Sequence, residues 1–585
     1  MAYDLIIKNG VVVDGSGEPA FRADVAVSGG RIAGVGKYAG AAAKRTIDAE
    51  GRVVAPGFID HHTHFDPQAV WDPYCGSWVH NGHTTVIVGQ CGQVIAPVRP
   101  GDGEWYLEFF SDAEQIPLPV LKAGVDVTWE SVGDYLNALG KRRGINVGTL
   151  VGHSGIRRYV MGEAADERQA TPEEMAAMQK LIREAMHDGA LGFSTAPKDR
   201  GDPAGVGDDA ERWALANVLA ELGTGIFQVA GGAPGGTKQT RAVARELAAR
   251  TGRPSIYNLM SDPIGNPEEW QEHLRWLEDG FKSGARCYGS ALSTVAGAIF
   301  NLERGLNVPQ DEDITHPEGF FRGMPTWDKV MAMPYQDRMR AFRDPEIRRA
   351  MSAEAVEGTV EQQGGMTDRR GRARGLFNRR WDLVEVFMTA KGQNRHLEGK
   401  SVEQIAKEQN KSIMDAFLDL SLDEDLQTCF QAIDRNRDPK VQKAILGSDY
   451  TVIGTSDGGG RPHTADRHET STHLLGHWVR EQQALTLEDA VYRLTGKTAL
   501  MHDMTDRGFI AAGKVADITI FDPDTIAEKP REPVASLPAG GVQVKREAVG
   551  IDYVVVNGQI LLDKGELTDA LPGQIVRGPL YQARA

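Results

Sequence analysis

Apolar and polar positions alternate in short runs at both ends of the chain. "YDLIIKNGVVVDG" opens with apolar runs broken by Asn9-Gly10, a pair that favours a hairpin turn. "DVAVSGGRIAGVG" and "RTIDAEGRVVAPG" continue the pattern, and "ADITIFDP" and "YVVVNGQILLDKGEL" repeat it near the other end, with Asn557-Gly558 as the turn. Neither terminal region is long enough to close a stable sheet by itself. The simplest solution is one small β-sandwich built from both ends, about 1–54 plus 508–571.

Between the ends, β-like runs lie at 53–59, 84–89, 147–151, 190–194, 225–229, 255–259, 285–290 and 452–455. Helical patterns separate several of them. In "TPEEMAAMQKLIREAMHDG", Thr171 is the expected N-cap, Glu174 completes a capping box and Gly189 ends the helix. This alternation predicts an α/β fold, a (β/α)8 TIM-like barrel over 55–507. From about 301 to 380 the alternation stops. That stretch, rich in Met, Arg and Pro, predicts a mostly helical insertion that covers a pocket or contacts another subunit. A second insertion, "GDGEWYLEFFSDAEQIP", follows the second run. Its Trp105, Tyr106, Phe109 and Phe110 form either a pocket wall or a packing face.

Composition narrows the function classes. A chain of 585 residues exceeds one ordinary core. A formal net charge of −16 argues against nucleic-acid or anionic-membrane partners. No apolar run approaches the roughly 20 residues of a membrane span. "MAYDLIIKNG" lacks the basic start and apolar core of a signal peptide. Cys75, Cys91, Cys287 and Cys429 are too scattered for a disulfide framework, so a cytoplasmic location is expected. A homo-oligomer is expected as well.

The candidate chemistry is concentrated in "APGFIDHHTHFD", which runs apolar and then turns polar. In barrels the chemistry sits where strands end. His62 and His64 lie just beyond the first run, and alternate residues of extended chain point the same way. The two imidazoles can therefore share a metal ion, while His61 and Thr63 face elsewhere. His473 and His477, one helical turn apart, decorate a helix, because no glutamate completes a metalloprotease pattern. "VAGGAPGGTK" and "LTGKTAL" both miss the Walker A spacing; the first reads as an active-site loop. "DRRGRARGLFNRRW" reads as a solvated basic face or as a lid over an anionic substrate.

Together with the terminal β-unit, the stretches "PGFIDHHTHFD", "GHTTVIVGQCG", "GHSGIRRYVMG", "GALGFSTA", "GTSDGG", "LGHWVRE" and "GFIAAGKVADITIFDPDT" resemble the amidohydrolase superfamily. Within it, the chain looks like the D-aminoacylase branch over nearly its whole length. The resemblance implies a metal-dependent hydrolase. His62 and His64 match the first-strand pair, Cys91 a zinc-binding cysteine, and Asp457 the last-strand aspartate that ligates metal or shuttles a proton. His153 is implied as a site residue. Two departures stand out. The branch brings further histidines after strands five and six, where "GIFQVAGG" and "SIYNLMSD" put Gln228 and Asn258. Carboxamides are poor zinc ligands beside imidazole. After Asp457, "RPHTADRHETSTHLLGH" replaces the usual motif, so Arg461, His463, Arg467 and His468, with Ser290, are the expected pocket.

The resulting expectation is hydrolysis of a carbon–nitrogen bond, an amide in a small-molecule substrate. Zn2+, as one or two ions, or another divalent metal, activates water on His62, His64 and Asp457, with Cys91, Gln228 or water completing the shell. Asp457 moves the proton, and His153 or Tyr257 helps polarise the carbonyl. The alternatives are a cyclic amidase or deaminase on the same scaffold, or a non-catalytic barrel used for binding or assembly.

Overall fold

Both chain ends feed one nine-stranded sheet. The computed structural model describes residues 2–140, 142–197, 202–230, 238–264, 268–303, 321, 324–357, 366–367, 373–374, 379–462 and 469–582. In the sheet, the N-terminal strand Val53–Pro56 lies between Tyr3–Val12 on one side and the C-terminal strand Ile518–Phe521 on the other. Leu5, Ile7, Val25, Val54, Ile518 and Val555 pack as one apolar layer on it. Asn557-Gly558 makes the expected turn, with φ of 46° and 79° joining Ile551–Val556 to Gln559–Asp563. Asn9-Gly10 does not turn the chain. Tyr3–Val12 runs through it as a bulge, because Asn9 takes a left-handed φ of 57° and shifts the register against Phe21–Ser28.

The first predicted run becomes two strands. Val53–Pro56 belongs to the terminal sheet, whereas Phe58–Asp60 pairs in parallel with His83–Val88. Pro56 offers no N–H to continue a ladder. Gly57 lets the chain cross Thr84 closely, since a Cβ there would meet the Thr84 side chain at 2.2 Å. Phe58–Asp60, His83–Val88 and Asn146–Thr149 form one parallel sheet. Val151–Gly152, Gly192–Thr195, Ile226–Val229, Ser255–Met260, Cys287–Ala291 and Thr451–Ile453 form another. Leu150 alone separates the two, and an isolated parallel bridge pairs Thr63 with Gly458.

Helices alternate with these strands. Pro172–Asp188 carries the expected capping box from Thr171 and Glu174, and Gly189 ends it at φ 110°. Ile59, Ile87, Leu150, Leu191, Ile226, Ile256 and Val452, one from each of seven strand positions, pack together as a separate apolar cluster. At the opposite end from the candidate site, buried Asp517 accepts from Asn146, Arg507 and the Asn557 N–H at 2.7–3.0 Å, tying the terminal sheet to the parallel strands.

Among the described residues of 301–380 the longer elements are helical, with a short antiparallel pair at Met366–Thr367 and Ala373–Arg374, and the flanking chain adds a sheet. Helices Pro325–Met331, Tyr335–Ala341 and Pro345–Ser352 are joined by an antiparallel sheet of Ala296–Phe300, Cys429–Arg435 and Val384–Met388. Trp327, Phe342, Phe417 and Phe430 give it a core of its own. Most of the basic island lies outside the described residues.

Candidate metal centre

The chain leaving Phe58–Asp60 carries His62 and His64 with ring centroids 5.3 Å apart. The loop after His83–Val88 brings Cys91 Sγ to 3.4 Å from His62 Nε2. One donor atom each from His62, His64 and Cys91 lies within 4.8 Å of the others. The turn after Thr451–Ile453 places Asp457 Oδ1 at 3.3 Å from His62 Nε2 and 4.0 Å from His64 Nε2. A tetrahedral zinc with bonds of about 2.0 Å to nitrogen and 2.3 Å to sulfur holds neighbouring donors about 3.5 Å apart. The spacing and the donor types of His62, His64 and Cys91 therefore suit one ion, with Asp457 next to it.

Local structure holds these groups in place. The Asp60 carboxylate accepts from the His62 N–H at 3.1 Å and from Trp78 Nε1 at 2.8 Å. Cys91 and Asp457 sit at φ 57° and 55°. Left-handed residues other than glycine concentrate at functional sites. Burial pushes the His62 imidazole down to about 3 although Asp457 pulls it up, so the ring is neutral at pH 7, the form that ligates a cation. Glu114, buried at the end of helix Gly103–Glu114, brings Oε1 to 3.6 Å from His64 Nδ1. A carboxylate on the far nitrogen is how metal-ligating histidines are commonly oriented. Phe110, one turn earlier on that helix, lies 6.3 Å from the His64 ring.

The amidohydrolase family model matches residues 45–290 and 440–562. The chain belongs to the amidohydrolase family. The gap between the two matched blocks coincides with the insertion and its sheet. D-aminoacylase of Alcaligenes xylosoxydans xylosoxydans is 29% identical over 98% of this chain and 97% of its own length. N-acyl-D-glutamate deacylase of the same organism is 28% identical over 98% and 96%. Among solved structures, the N-acyl-D-glutamate deacylase from Bordetella bronchiseptica, complexed with zinc and a phosphonate inhibitor, is 25% identical with a TM-score of 0.64, covering 99% of this chain and 100% of that one. A D-aminoacylase with a binuclear metal centre has the same TM-score, 25% identity, and coverage of 98% and 99%.

Other expected residues of this amidohydrolase take different places. His153 is fully buried, its Nδ1 2.9 Å from Thr195 Oγ1 and its Nε2 2.7 Å from Glu211 Oε1. Arg157 grips the same Glu211 carboxylate at 2.5–2.6 Å. Both His153 nitrogens are thus engaged away from the four-residue cluster. Tyr257 is turned outward: its ring packs edge-on against Trp276 of the helix layer at 6.0 Å, and its hydroxyl meets Met260 Sδ. Strand alternation explains this, because Ile256 faces the strand-lined interior. Asn258 does reach the cluster, with Nδ2 3.1 Å from His62 Nδ1. Gln228 touches the Cys91 backbone. Ser290 hydrogen-bonds His61 at 3.1 Å, so His61 faces inward beneath the cluster rather than into it. Arg461 Nη1 lies 3.6 Å from Asp457 Oδ2. His463, Arg467 and His468 lie outside the described residues.

His473 and His477 face Glu528 and Glu481 on a helical stretch. Tyr106 and Phe110 are core, and Trp105 stacks on Phe109. No helix among the described residues is long and apolar enough to cross a membrane. Glu114 was not visible as a site residue in the sequence.

Proposed function

We propose that the protein hydrolyses the amide of an N-acyl amino acid, using a divalent ion, zinc in the first instance, held by His62, His64 and Cys91 with the fourth position open beside Asp457. The convergence of His62, His64 and Cys91 on donor spacings that suit one ion, with Asp457 beside the two imidazoles, carries the reading. Near-full-length similarity to the two deacylases supports the substrate class. When bound, the ion lowers the pKa of water toward neutrality and polarises the amide carbonyl.

The chain's own groups do the rest. Asp457 Oδ1, on the cluster side, accepts the proton of the attacking water and returns it to the departing amine nitrogen. The Glu114 carboxylate, 3.6 Å from His64 Nδ1, orients that ring electrostatically. Arg461, half-buried beside Asp457, is positioned to pair with a substrate carboxylate. His153 acts through packing and through its bonds to Thr195 and Glu211. The eight parallel strand positions are read as a closed (β/α)8 barrel, supported by the Thr63–Gly458 bridge between first and last. The terminal strands are read as a β-sandwich. The four cysteines form no disulfide with one another, in keeping with a reducing, cytoplasmic setting.

The test pairs elemental analysis with a screen of N-acyl-D- and N-acyl-L-amino acids and cyclic amides. The expected result is about one bound zinc per chain and amine release that a chelator abolishes. Metal-free protein that turns over none of these substrates defeats the reading; turnover of cyclic amides alone redirects it.

A further inference from the structure

Gln228 stands where a metal ligand would be sought, yet its geometry is that of a hydrogen-bond donor. It lies two residues beyond Ile226 on the strand Ile226–Val229, and Ile226 belongs to the apolar cluster inside the parallel strands. Residues two apart in a strand share a face, so Gln228 forms the next interior layer, directly under the centre. Its Oε1 accepts the Cys91 N–H at 2.7 Å. A backbone N–H only donates, which settles the two ends of the amide: the oxygen faces Cys91 and the NH2 faces the other way. That Nε2 is buried, on a side chain 1% exposed, and has no hydrogen-bond partner among the described residues.

Two consequences follow from amide chemistry. The oxygen already accepts the Cys91 N–H and is in any case a poor zinc ligand beside imidazole, and an amide nitrogen has no lone pair to give a cation, so the NH2 of Gln228 acts as a donor and not as a metal ligand. Its two N–H groups are fixed donors in a buried place bordering Cys91, and buried donors are normally satisfied. The missing acceptor is then supplied by what binds there. In amide hydrolysis the acceptor that gains charge is the acyl oxygen. Asn258, against the His62 ring on the neighbouring strand, also has an unpartnered Oδ1.

We propose that Gln228 is a catalytic residue of this reaction, donating from Nε2 to the acyl oxygen of the substrate as negative charge develops on it, while its Oε1 holds Cys91 in place. The assignment rests on the hydrolase reading above. It makes the strand-five position of this chain an oxyanion donor and leaves the metal to His62, His64 and Cys91.

Two variants separate the roles. Gln228→Met removes both ends of the amide. Gln228→Glu keeps an oxygen for the Cys91 N–H and replaces the donor by a charged acceptor. Zinc content, kcat, KM and affinity for a phosphonate analogue of an N-acyl amino acid are measured for each. The expected result is retained zinc in both variants, kcat lowered about 100- to 1,000-fold, KM within threefold, and phosphonate affinity falling in both while product affinity holds. Gln228→Glu with near wild-type turnover overturns the donor role and reduces Gln228 to a support for Cys91. Loss of zinc in Gln228→Met with weakened turnover assigns it to the metal instead. Wild-type protein lacking zinc and turnover overturns the hydrolase reading, and the assignment falls with it.

Discussion

Replacing Asp457 by Asn exchanges one carboxylate oxygen for an NH2 of nearly the same size, so its effect isolates the charge and the proton-accepting role. Oδ1 points at His62 Nε2 from 3.3 Å and Oδ2 at Arg461 from 3.6 Å, so one oxygen serves the centre and the other the pocket rim. A positioned general base contributes about 100- to 10,000-fold, which is about 3–5 kcal/mol of barrier at 1.36 kcal/mol per decade. Loss of the negative charge beside the centre weakens metal binding in addition. Asp457 is 20% exposed and anchors no helix, so the fold is expected to hold. The assay is amine release from N-acetyl-D-amino acids under saturating zinc, with metal content and thermal melting recorded on the same sample. The expected outcome is kcat down at least about 100-fold with an unchanged melt. A zinc-loaded, folded Asp457→Asn protein with kcat within tenfold of the wild type would refute the proton-shuttle argument.

Cys91→Ser replaces a soft thiolate by a hard hydroxyl and is expected to lower zinc affinity at least about tenfold, read by competition with a chromogenic chelator; equal affinity removes Cys91 from the ligand set. Glu114→Gln removes the charge 3.6 Å from His64 Nδ1 and is expected to weaken zinc binding about 10- to 100-fold, with the melt of the metal-free protein little changed. Arg157→Met leaves the Glu211 carboxylate buried without its guanidinium and is expected to cost about 3–5 kcal/mol in urea unfolding; adding Glu211→Gln restores much of that loss if the ion pair is the cause. Stability also falls with acidification. Burial holds the His153 imidazole below its usual 6.5, and Glu211, pushed up by burial but pulled down further by His153 and Arg157, lies below its usual 4.5. Both therefore bind protons more readily when unfolded, so the contribution is complete above pH 6.5 and is lost as pH drops below it. Urea midpoints that are flat from pH 7 to 4 would contradict this.

Some of the site was legible because it obeys a period of two. His62 and His64 could be paired from spacing alone, and the structure sets their rings 5.3 Å apart. The same rule should have excluded Tyr257, since it lies between Ile256 and Asn258 and must face the helices. Glu114 was harder to see. It ends a helix on which Tyr106 and Phe110, four apart, are buried. A glutamate four residues further along an apolar stripe is the signal that would have found it, but only a fold that returns this helix to the first strand explains why the charge is there. Glu211 was concealed differently. It sits in the first turn of helix Asp209–Leu222, where its N–H is capped by Asp208, and acidic residues are ordinary at such ends. The hairpin expected at Asn9-Gly10 failed because the same left-handed asparagine serves a bulge as well as a turn.

The position of the centre follows from one step of the pleat. Ile59, Ile87, Ile226, Ile256 and Val452 fill an apolar layer among the parallel strands. Two residues on, the same strands present His61, Gly89, Gln228, Asn258 and Gly454, and the interior changes from hydrocarbon to hydrogen-bonding groups and open space. Gly454 is part of that change: a Cβ there would lie 2.0 Å from the His61 ring. A layer of carboxamides and imidazole under His62, His64, Cys91 and Asp457 suits a reaction that moves charge, because its dipoles are fixed before the substrate arrives. An apolar layer at that height would leave a developing oxyanion unsolvated. On the proposed reading, the polarity of this one layer joins His62, His64 and Cys91 in making the strand ends a place for hydrolysis.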